Sequence, residues 1–239
     1  MKKLLLILFL AFSFGVNAQY YTITYIQVPY GDQAEVARLE TKYWSKVAKA
    51  NIDSGKQLAW GLFARPFGNS DQWTHAFVNV YETLDQLTDN SIWNTEEILG
   101  ISSEDIQSFG YYTGSGLNVW KIEDQIPGEG KATVWNFAKP ENLAMFIDNN
   151  KKVWKKEFEK DMGGRTGWGI GKKLTTVSQN GSTVMTWDSF SSVADALDAL
   201  DYPLEGYDPP KGDMTGKANP NGWLAQVIVQ QVMWITATQ

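Results

Sequence analysis

The sequence contains no cysteine and only one histidine in 239 residues. The first absence excludes disulfides, thiolate metal sites and a cysteine-anchored lipoprotein. The second leaves any metal or haem with at most one histidine ligand, and the chain has no Gly-x-Ser-x-Gly elbow for a hydrolase triad. We therefore expect neither a metal nor a cofactor.

Positive charge is also scarce. The chain has 21 basic and 27 acidic residues, which gives a net charge of −6, and two of the basic residues are Lys2 and Lys3 at the N-terminus. Nucleic acids and anionic membrane surfaces bind basic protein faces. Neither is expected to be a partner.

The N-terminus is typical of a secretory signal peptide. The two lysines precede an apolar run that ends at Phe14, and the small residues Val16 and Ala18 follow. The run is shorter than the roughly 20 apolar residues that span a bilayer. We predict a signal peptide over residues 1–18, no membrane insertion after its cleavage, and export to the periplasm or the extracellular space as a mature chain that begins at Gln19.

One kind of stretch occurs twice, at 44–61 and at 154–169. In each copy a tryptophan lies late in a segment with helical periodicity, a link containing glycine follows, and a Trp-Gly pair begins a run with strand propensity. Around these stretches the chain alternates strand and helix patterns in the same order, β-α-β-β-α-β, in both halves. The predicted strands lie at about 20–28, 57–67, 72–81 and 117–122, then at 131–138, 166–176, 183–187 and 224–235.

The first strand and helix of the two halves align without a gap at a shift of 110 residues. This shift pairs Tyr25 with Trp135 and Trp44 with Trp154. Ordered matches of this kind indicate an internal duplication. We predict a first repeat over residues 19–125 and a second over residues 126–239.

A β-α-β-β-α-β unit is a ferredoxin-like fold, in which two helices cover one face of a four-stranded antiparallel sheet. The other face stays exposed unless a second sheet packs on it. The chain therefore resembles the dimeric α/β-barrel superfamily, which includes antibiotic-biosynthesis monooxygenases and haem-degrading monooxygenases. The expected fold class is α+β, with two ferredoxin-like repeats packed sheet to sheet as a pseudo-twofold α/β barrel in one chain.

This resemblance implies a ligand cleft between helices and sheet. The haem-degrading members use an asparagine on the first strand, a tryptophan late in the third strand and a nearby histidine. Asn136 and Trp187 lie at comparable places in the second repeat, but the histidine is absent, so haem is not expected. In the first repeat Tyr81 takes the place of Trp187. Asn136, Trp187 and Tyr81 are accordingly the predicted substrate-binding residues.

Alternation along residues 72–81 places one set of side chains on a single face of the strand: Trp73, His75, Phe77, Asn79 and Tyr81. His75 is a candidate proton carrier near neutral pH, and Asn79 is a candidate to orient a substrate carbonyl. The alternative is a hydrogen-bonded packing histidine beside an asparagine satisfied by the backbone. The repeated tryptophans favour core packing over a sugar-binding surface.

These features predict an exported protein that binds a small apolar or aromatic molecule in a cleft. The alternative is a cofactor-independent monooxygenase that acts on an aromatic or phenolic substrate, with His75 and Asn79 as catalytic residues. A homo-oligomer is compatible with either function. The segment 201–222, rich in proline, glycine and aspartate, is interpreted as an insertion, with a lid over the cleft as the sharper hypothesis.

Overall fold

The computed structural model describes residues 19–68, 72–175, 181–201 and 208–237. The predicted signal peptide, the link between the predicted strands 166–176 and 183–187 as far as residue 180, and part of the predicted insertion at 201–222 lie outside these residues. Eight strands form one closed antiparallel barrel, so the expectation of an α+β barrel is confirmed. The strands are β1 Tyr20–Gln27, β2 Ala59–Ala64, β3 His75–Tyr81, β4 Thr113–Ile126, β5 Ala132–Ala138, β6 Arg165–Lys173, β7 Val184–Phe190 and β8 Trp223–Thr236.

The helices lie in the connections between the strands. The α-helical segments are α1 Gln33–Leu39, α2 Ser45–Asp53, α3 Leu84–Thr88, α4 Thr95–Leu99, α5 Leu143–Asn149, α6 Lys155–Lys160, α7 Val193–Leu200 and α8 Thr215–Ala218. A π-helical turn, Glu40–Trp44, joins α1 to α2, and another, Asn150–Trp154, joins α5 to α6. None of the helices in the described part of the chain is long and apolar enough to cross a bilayer.

The strands follow the order β1-β3-β2-β8-β5-β7-β6-β4 around the barrel, and β4 closes it by pairing with β1. Two of these ladders join the first half of the chain to the second. They pair β2 with β8 and β4 with β6, both antiparallel. The barrel therefore closes only when strands from both halves are present.

Strand alternation divides the buried side chains between the barrel interior and the surface beneath the helices. The interior cluster contains Ile23, Val78 and Trp120. On the helix side, Trp60 and Leu62 pack with Ala48 and Ile52 of α2. Because the strands present apolar side chains to each of these spaces, the barrel has an inner core and separate cores beneath its helices.

Two local predictions were wrong. Strand β3 begins at His75, so Trp73 precedes the strand and its ring stacks on that of Trp135 inside the barrel, 5.9 Å between centroids. Strand β8 is buried only at Val227, Ile228 and Val229, although its apolar composition predicts burial on both faces. Composition misled here because the burial of a strand depends on which helices cover it, and the first residues of β8 are exposed.

Candidate functional site: a cavity inside the barrel

The barrel interior contains a cavity of about 610 Å³. Its wall is built from aromatic and aliphatic side chains that point inward from most of the strands. They include Tyr21, Ile23, Phe63, Val78, Val80, Ile122, Trp135, Met185, Trp187 and Trp234. A space of this size and lining is what a small, largely apolar ligand requires.

Glycines on the inner face of the sheet make room for the large rings. A Cβ atom on Gly169 would lie 2.0 Å from Cζ2 of Trp187, and one on Gly61 would lie 2.4 Å from Cε3 of Trp234. Each glycine therefore lets an indole of a nearby strand lie flat against the backbone. The alternation of glycine with large residues in β6 is explained by this packing.

Aromatic contacts connect the rings of the wall to one another. Tyr21 meets Trp187 edge to face with 5.8 Å between centroids, and Phe63 lies 5.7 Å from Trp135 and 5.9 Å from Trp234. Such arrangements bring the positive edge of one ring to the negative face of another. The wall is consequently a connected set of rings whose positions depend on each other.

Polar groups collect at the mouth of the cavity, where β1 begins and β4 ends. Gln19 and Gln125 line it, and the amide of Gln125 donates to Oε1 of Gln19 over 3.3 Å. The connection from β4 to β5, residues 127–130, crosses the same end of the barrel. Its Gly128 packs so closely on Thr166 that a Cβ would meet the Thr166 carbonyl oxygen at 1.5 Å. The mouth is thus bordered by amides and by a tightly seated backbone segment.

The cavity has little charge. Among the described residues that line it, none is lysine, arginine or histidine, and the one carboxylate is that of the exposed Glu129. Burial raises the pKa of Tyr21 well above its ordinary value, so its hydroxyl remains neutral. The site can supply aromatic faces and a few hydrogen bonds, but no positive charge.

His75, Asn79 and Tyr81 lie together on one face of β3, as their spacing predicts, but this face is turned away from the cavity and toward the helices. His75 Nδ1 is 3.0 Å from Oγ1 of Thr74, and burial lowers the pKa of His75, which keeps the ring neutral at physiological pH. Asn79 accepts a hydrogen bond from Nε2 of Gln57 at 2.9 Å. The catalytic roles of His75 and Asn79 and the binding role of Tyr81 stay predictions.

Asn136 lies on the helix side of β5 and belongs to a polar network. Its Nδ2 donates to Oδ2 of Asp188 at 2.8 Å and to Oγ1 of Thr186 at 3.2 Å, while its Oδ1 accepts from Nε2 of Gln226 at 2.8 Å. Asp188 also pairs with Arg165. All the polar atoms of the Asn136 side chain are therefore engaged within the protein, and its role in binding a substrate stays a prediction.

Trp187 is the predicted site residue that does line the cavity. The other four predicted residues have side chains on the opposite side of the barrel wall, toward the helices, because successive residues of a strand point to opposite sides of the sheet. Sequence reasoning missed Trp135, Trp234 and Phe63 as neighbours of Trp187. The signal available for them was the row of glycines at alternate positions of β6, which indicates space on one face of the sheet.

Glu40, which begins the π-helical turn between α1 and α2, is a further residue that the sequence analysis missed. Its side chain is 5% exposed and accepts a hydrogen bond of 2.5 Å from the hydroxyl of Ser108. Burial raises the pKa of Glu40 to about 7. Glu40 lies four residues after Val36 and seven before Val47, which places it on the buried face of the helix. This spacing is the sequence signal that could have identified it.

The described residues offer no metal-binding cluster, and none of those that line the cavity is a histidine that could ligate a haem. The described residues contain no group of three or more His, Asp or Glu side chains that could hold a metal ion. A haem needs an axial ligand, most often histidine. His75 is buried beneath the helices beside Thr74 and does not line the cavity.

The described residues form a closed antiparallel barrel of eight strands with helices in the connections between them. No known family model and no curated protein matches the sequence. The solved structures that share the fold include the following three. An anthrone oxidase-like protein has a TM-score of 0.57 and 8% identity, covering 93% of this chain and 94% of its own.

The second is a candidate monooxygenase from Lactobacillus acidophilus NCFM, with a TM-score of 0.54 and 10% identity over 92% of this chain and 97% of its own. The third is a heme-binding protein from Thermus thermophilus, with a TM-score of 0.51 and 9% identity over 90% of this chain and 91% of its own. At these identities the similarity shows a common fold.

Proposed function

We propose that this protein is exported and binds a small, largely apolar aromatic molecule inside its barrel. The observation that carries the proposal is the cavity of about 610 Å³ with its wall of connected aromatic rings. Ligand pockets generally have volumes of about 300 to 1,000 Å³, apolar linings and a few placed polar groups. The interior cavity meets each of these conditions, whereas the resemblance to the superfamily implies a cleft between helices and sheet.

Binding is tested by titrating the purified mature chain with 2-naphthol, a neutral bicyclic aromatic probe, in a calorimeter. We expect saturable binding at one site per chain. Ser189→Trp places an indole at the partly buried lining position Ser189 and should weaken binding at least tenfold. Lys46→Trp adds the same group on the exposed surface of α2 and should leave binding unchanged. No binding, or equal loss in both variants, would reject an interior site.

Export is tested on the protein produced in a bacterial host from the full sequence. Mass spectrometry should find a mature chain that begins at Gln19 in the periplasm or medium. Retention of residues 1–18 on a cytoplasmic protein would contradict the proposal.

We also infer that the barrel arose by tandem duplication of a ferredoxin-like unit. In the first half the strands lie in the order β4-β1-β3-β2, and in the second β8-β5-β7-β6, which is the same order in each unit. The π-helical turns begin at Glu40 and Asn150, separated by the same 110 residues that align the sequences. A wide turn inserted at matched positions supports a common ancestor for the two helices.

A second candidate function is cofactor-independent oxygenation of a phenolic substrate. Its support is the fold shared with an anthrone oxidase-like protein and a candidate monooxygenase. His75 would act as the neutral base, consistent with its lowered pKa, for a substrate that binds between the helices and β3 rather than in the barrel cavity. Oxygen uptake with activated phenols should then be lost in His75→Ala and kept in an exposed control, Lys46→Ala. Equal uptake in the two variants would reject the role of His75.

A further inference from the structure

We propose that the barrel cavity selects its ligand by charge: it takes a planar aromatic molecule that is neutral or positively charged, and it rejects carboxylates, sulfonates and phosphates. This inference rests on the proposed binding function and names the ligand class for that site. It follows from the charges and dipoles of the wall and from the groups at the mouth.

The described residues of the wall offer no cationic side chain to compensate a negative charge, and their hydrogen-bond donors are neutral groups such as the Tyr21 hydroxyl. The described lining residues include no cationic side chain, and the deep part of the cavity is formed by rings and aliphatic groups. Lys173 contacts the ring of Trp120, with 5.7 Å from Nζ to the ring centroid, but Lys173 is not one of the lining residues. An anion that enters loses its hydration and gains no cationic partner among these residues, so its binding is disfavoured.

The aromatic rings add a preference of their own. The faces of Trp, Tyr and Phe rings carry partial negative charge, so they attract cations and repel anions. Trp135, Trp187 and Trp234 all line this one space. A cationic group among them regains part of its lost hydration energy, and a neutral ring loses little hydration on entry.

The mouth points to the position of a polar substituent. Gln19, Gln125 and Gln231 line the cavity there with side-chain amides, and Glu129 is the carboxylate beside them. An aromatic body would therefore lie among the tryptophans while a hydroxyl, amide or ammonium group lies near the mouth. Glu129 is exposed, so its effect on a charged ligand is screened by solvent and salt.

The experiment uses three naphthalene probes of matched shape: 2-naphthol, 2-naphthylmethylammonium and 2-naphthoate. Each is titrated into the mature chain at pH 7 and low salt, with calorimetry as the readout. We expect the neutral and cationic probes to bind and 2-naphthoate to bind at least tenfold more weakly. Equal affinity for 2-naphthoate would overturn the charge selection while leaving the binding function intact, whereas failure of all three probes would reject the binding function itself.

Glu129→Lys tests the contribution of the mouth separately from that of the wall. The substituted position lies on the exposed connection from β4 to β5, so the fold should be unaffected. The cationic probe should bind about threefold more weakly to this variant at low salt, and the difference should vanish at about 1 M salt, because exposed charges act over a short, screened range. Affinity for 2-naphthol should change less than affinity for the cationic probe, because 2-naphthol carries no charge. A cationic probe that binds Glu129→Lys and the parent chain equally at low salt would overturn the role assigned to the mouth.

Discussion

Glu40 is a carboxyl group held in the interior of the protein with one hydroxyl partner, Ser108. Desolvation disfavours its charged form and raises its pKa from 4.5 to about 7, while the hydrogen bond from Ser108 opposes this shift. Keeping the charged form of this carboxyl group buried lowers the stability of the folded protein. Glu40 also begins a π-helical turn, and such turns are frequent at functional sites. The cost of burying the charged form should be measurable as a dependence of stability on pH.

Below pH 4.5 the carboxyl of Glu40 is increasingly protonated in both the folded and the unfolded state. As pH rises toward 7, the unfolded state ionises first, so the free energy of unfolding falls, by on the order of 3 kcal/mol in total. Glu40→Gln keeps the acceptor for Ser108 and removes the ionisation. We expect the variant to be more stable than the parent at about pH 8 and similar to it at about pH 4, as measured by urea unfolding.

His75 provides an internal reference for that measurement. Burial lowers its pKa, so protonation of the unfolded state below about pH 6.5 reduces stability as pH falls. The parent chain and Glu40→Gln share this opposite trend. Subtracting one curve of unfolding free energy against pH from the other therefore leaves the contribution of Glu40. Parallel curves for the parent and Glu40→Gln would show that Glu40 titrates normally in the folded chain.

Gly169 has no side chain, and this leaves the space in which the indole of Trp187 lies against the backbone. Gly169→Ala would place a Cβ 2.0 Å from the indole, so Trp187 must move into the cavity. Overpacking of this kind costs about 1–3 kcal/mol. We expect a lower free energy of unfolding by that amount and weaker binding of 2-naphthol.

Gly114→Ala is the matched control, since Gly114 also lies in a strand and its added Cβ would meet nothing within 4 Å. Its free energy of unfolding should stay within about 0.5 kcal/mol of the parent value. Equal losses in the two variants would mean that strand conformation, rather than contact with Trp187, requires glycine at position 169.

Individual residues were predictable where alternation alone decides their side of the sheet. His75 and Asn79 share a face because they lie four positions apart on one strand. Which face meets the helices was not predictable, since β3 carries apolar residues such as Val78 and Phe77 on both sides. Trp187 was identified from its place in the chain, and the rings that contact it come from strands distant in sequence.

At the level of elements, local patterns predicted the β-α-β-β-α-β order of strands and helical regions in each half of the chain. They did not predict the π-helical turns, because one additional residue changes helical periodicity too little to be read from sequence. Asp32 and Glu35 have the spacing of a capping box, but Asp32 precedes α1 without a side-chain cap, and Glu35 pairs with Arg38. A capping box does occur at Thr83, where it was not predicted. Caps depend on the angle at which the chain enters a helix, which tertiary packing sets.

The π-helical turn Glu40–Trp44 lets both α1 and α2 present apolar faces to the sheet, Val36 from the first and Val47 and Ala48 from the second. Deleting Lys42, which is exposed, should return this turn to α-helical geometry and preserve both faces. We expect cooperative unfolding and a loss of less than about 2 kcal/mol, since no core side chain is removed.

Deleting Lys49 is the contrasting change. No wide turn absorbs this deletion, so the following residues of α2 rotate by about 100° and the buried Asn51 and Ile52 leave the core. The loss should exceed about 3 kcal/mol in the same urea measurement. If the Lys42 deletion is as damaging as the Lys49 deletion, the π-helical turn is required for the fold itself.

At the scale of the whole molecule, the two inter-half ladders make the cavity a joint product of both halves. Strand β2 pairs with β8 from Ala59 to Ala64, and β4 pairs with β6 from Trp120 to Ile126. A fragment of residues 19–126 would leave both strands as unpaired edges and would expose the interior face that carries Ile23 and Val78. Exposed edges and apolar faces of this kind promote association.

If the two halves are duplicated units, β4 is equivalent to β8 and β2 is equivalent to β6. A second copy of the first half can then supply the strands with which β2 and β4 pair in the full chain. The fragment 19–126 should therefore form a dimer in which β2 of each copy pairs with β4 of the other, with a light-scattering mass twice that of the fragment. Phe63→Lys in the fragment places a charge on the face to be buried and should abolish the dimer. A fragment that remains monomeric would contradict the equivalence of β4 and β8, and with it the duplication, because equivalent strands must offer equivalent edges.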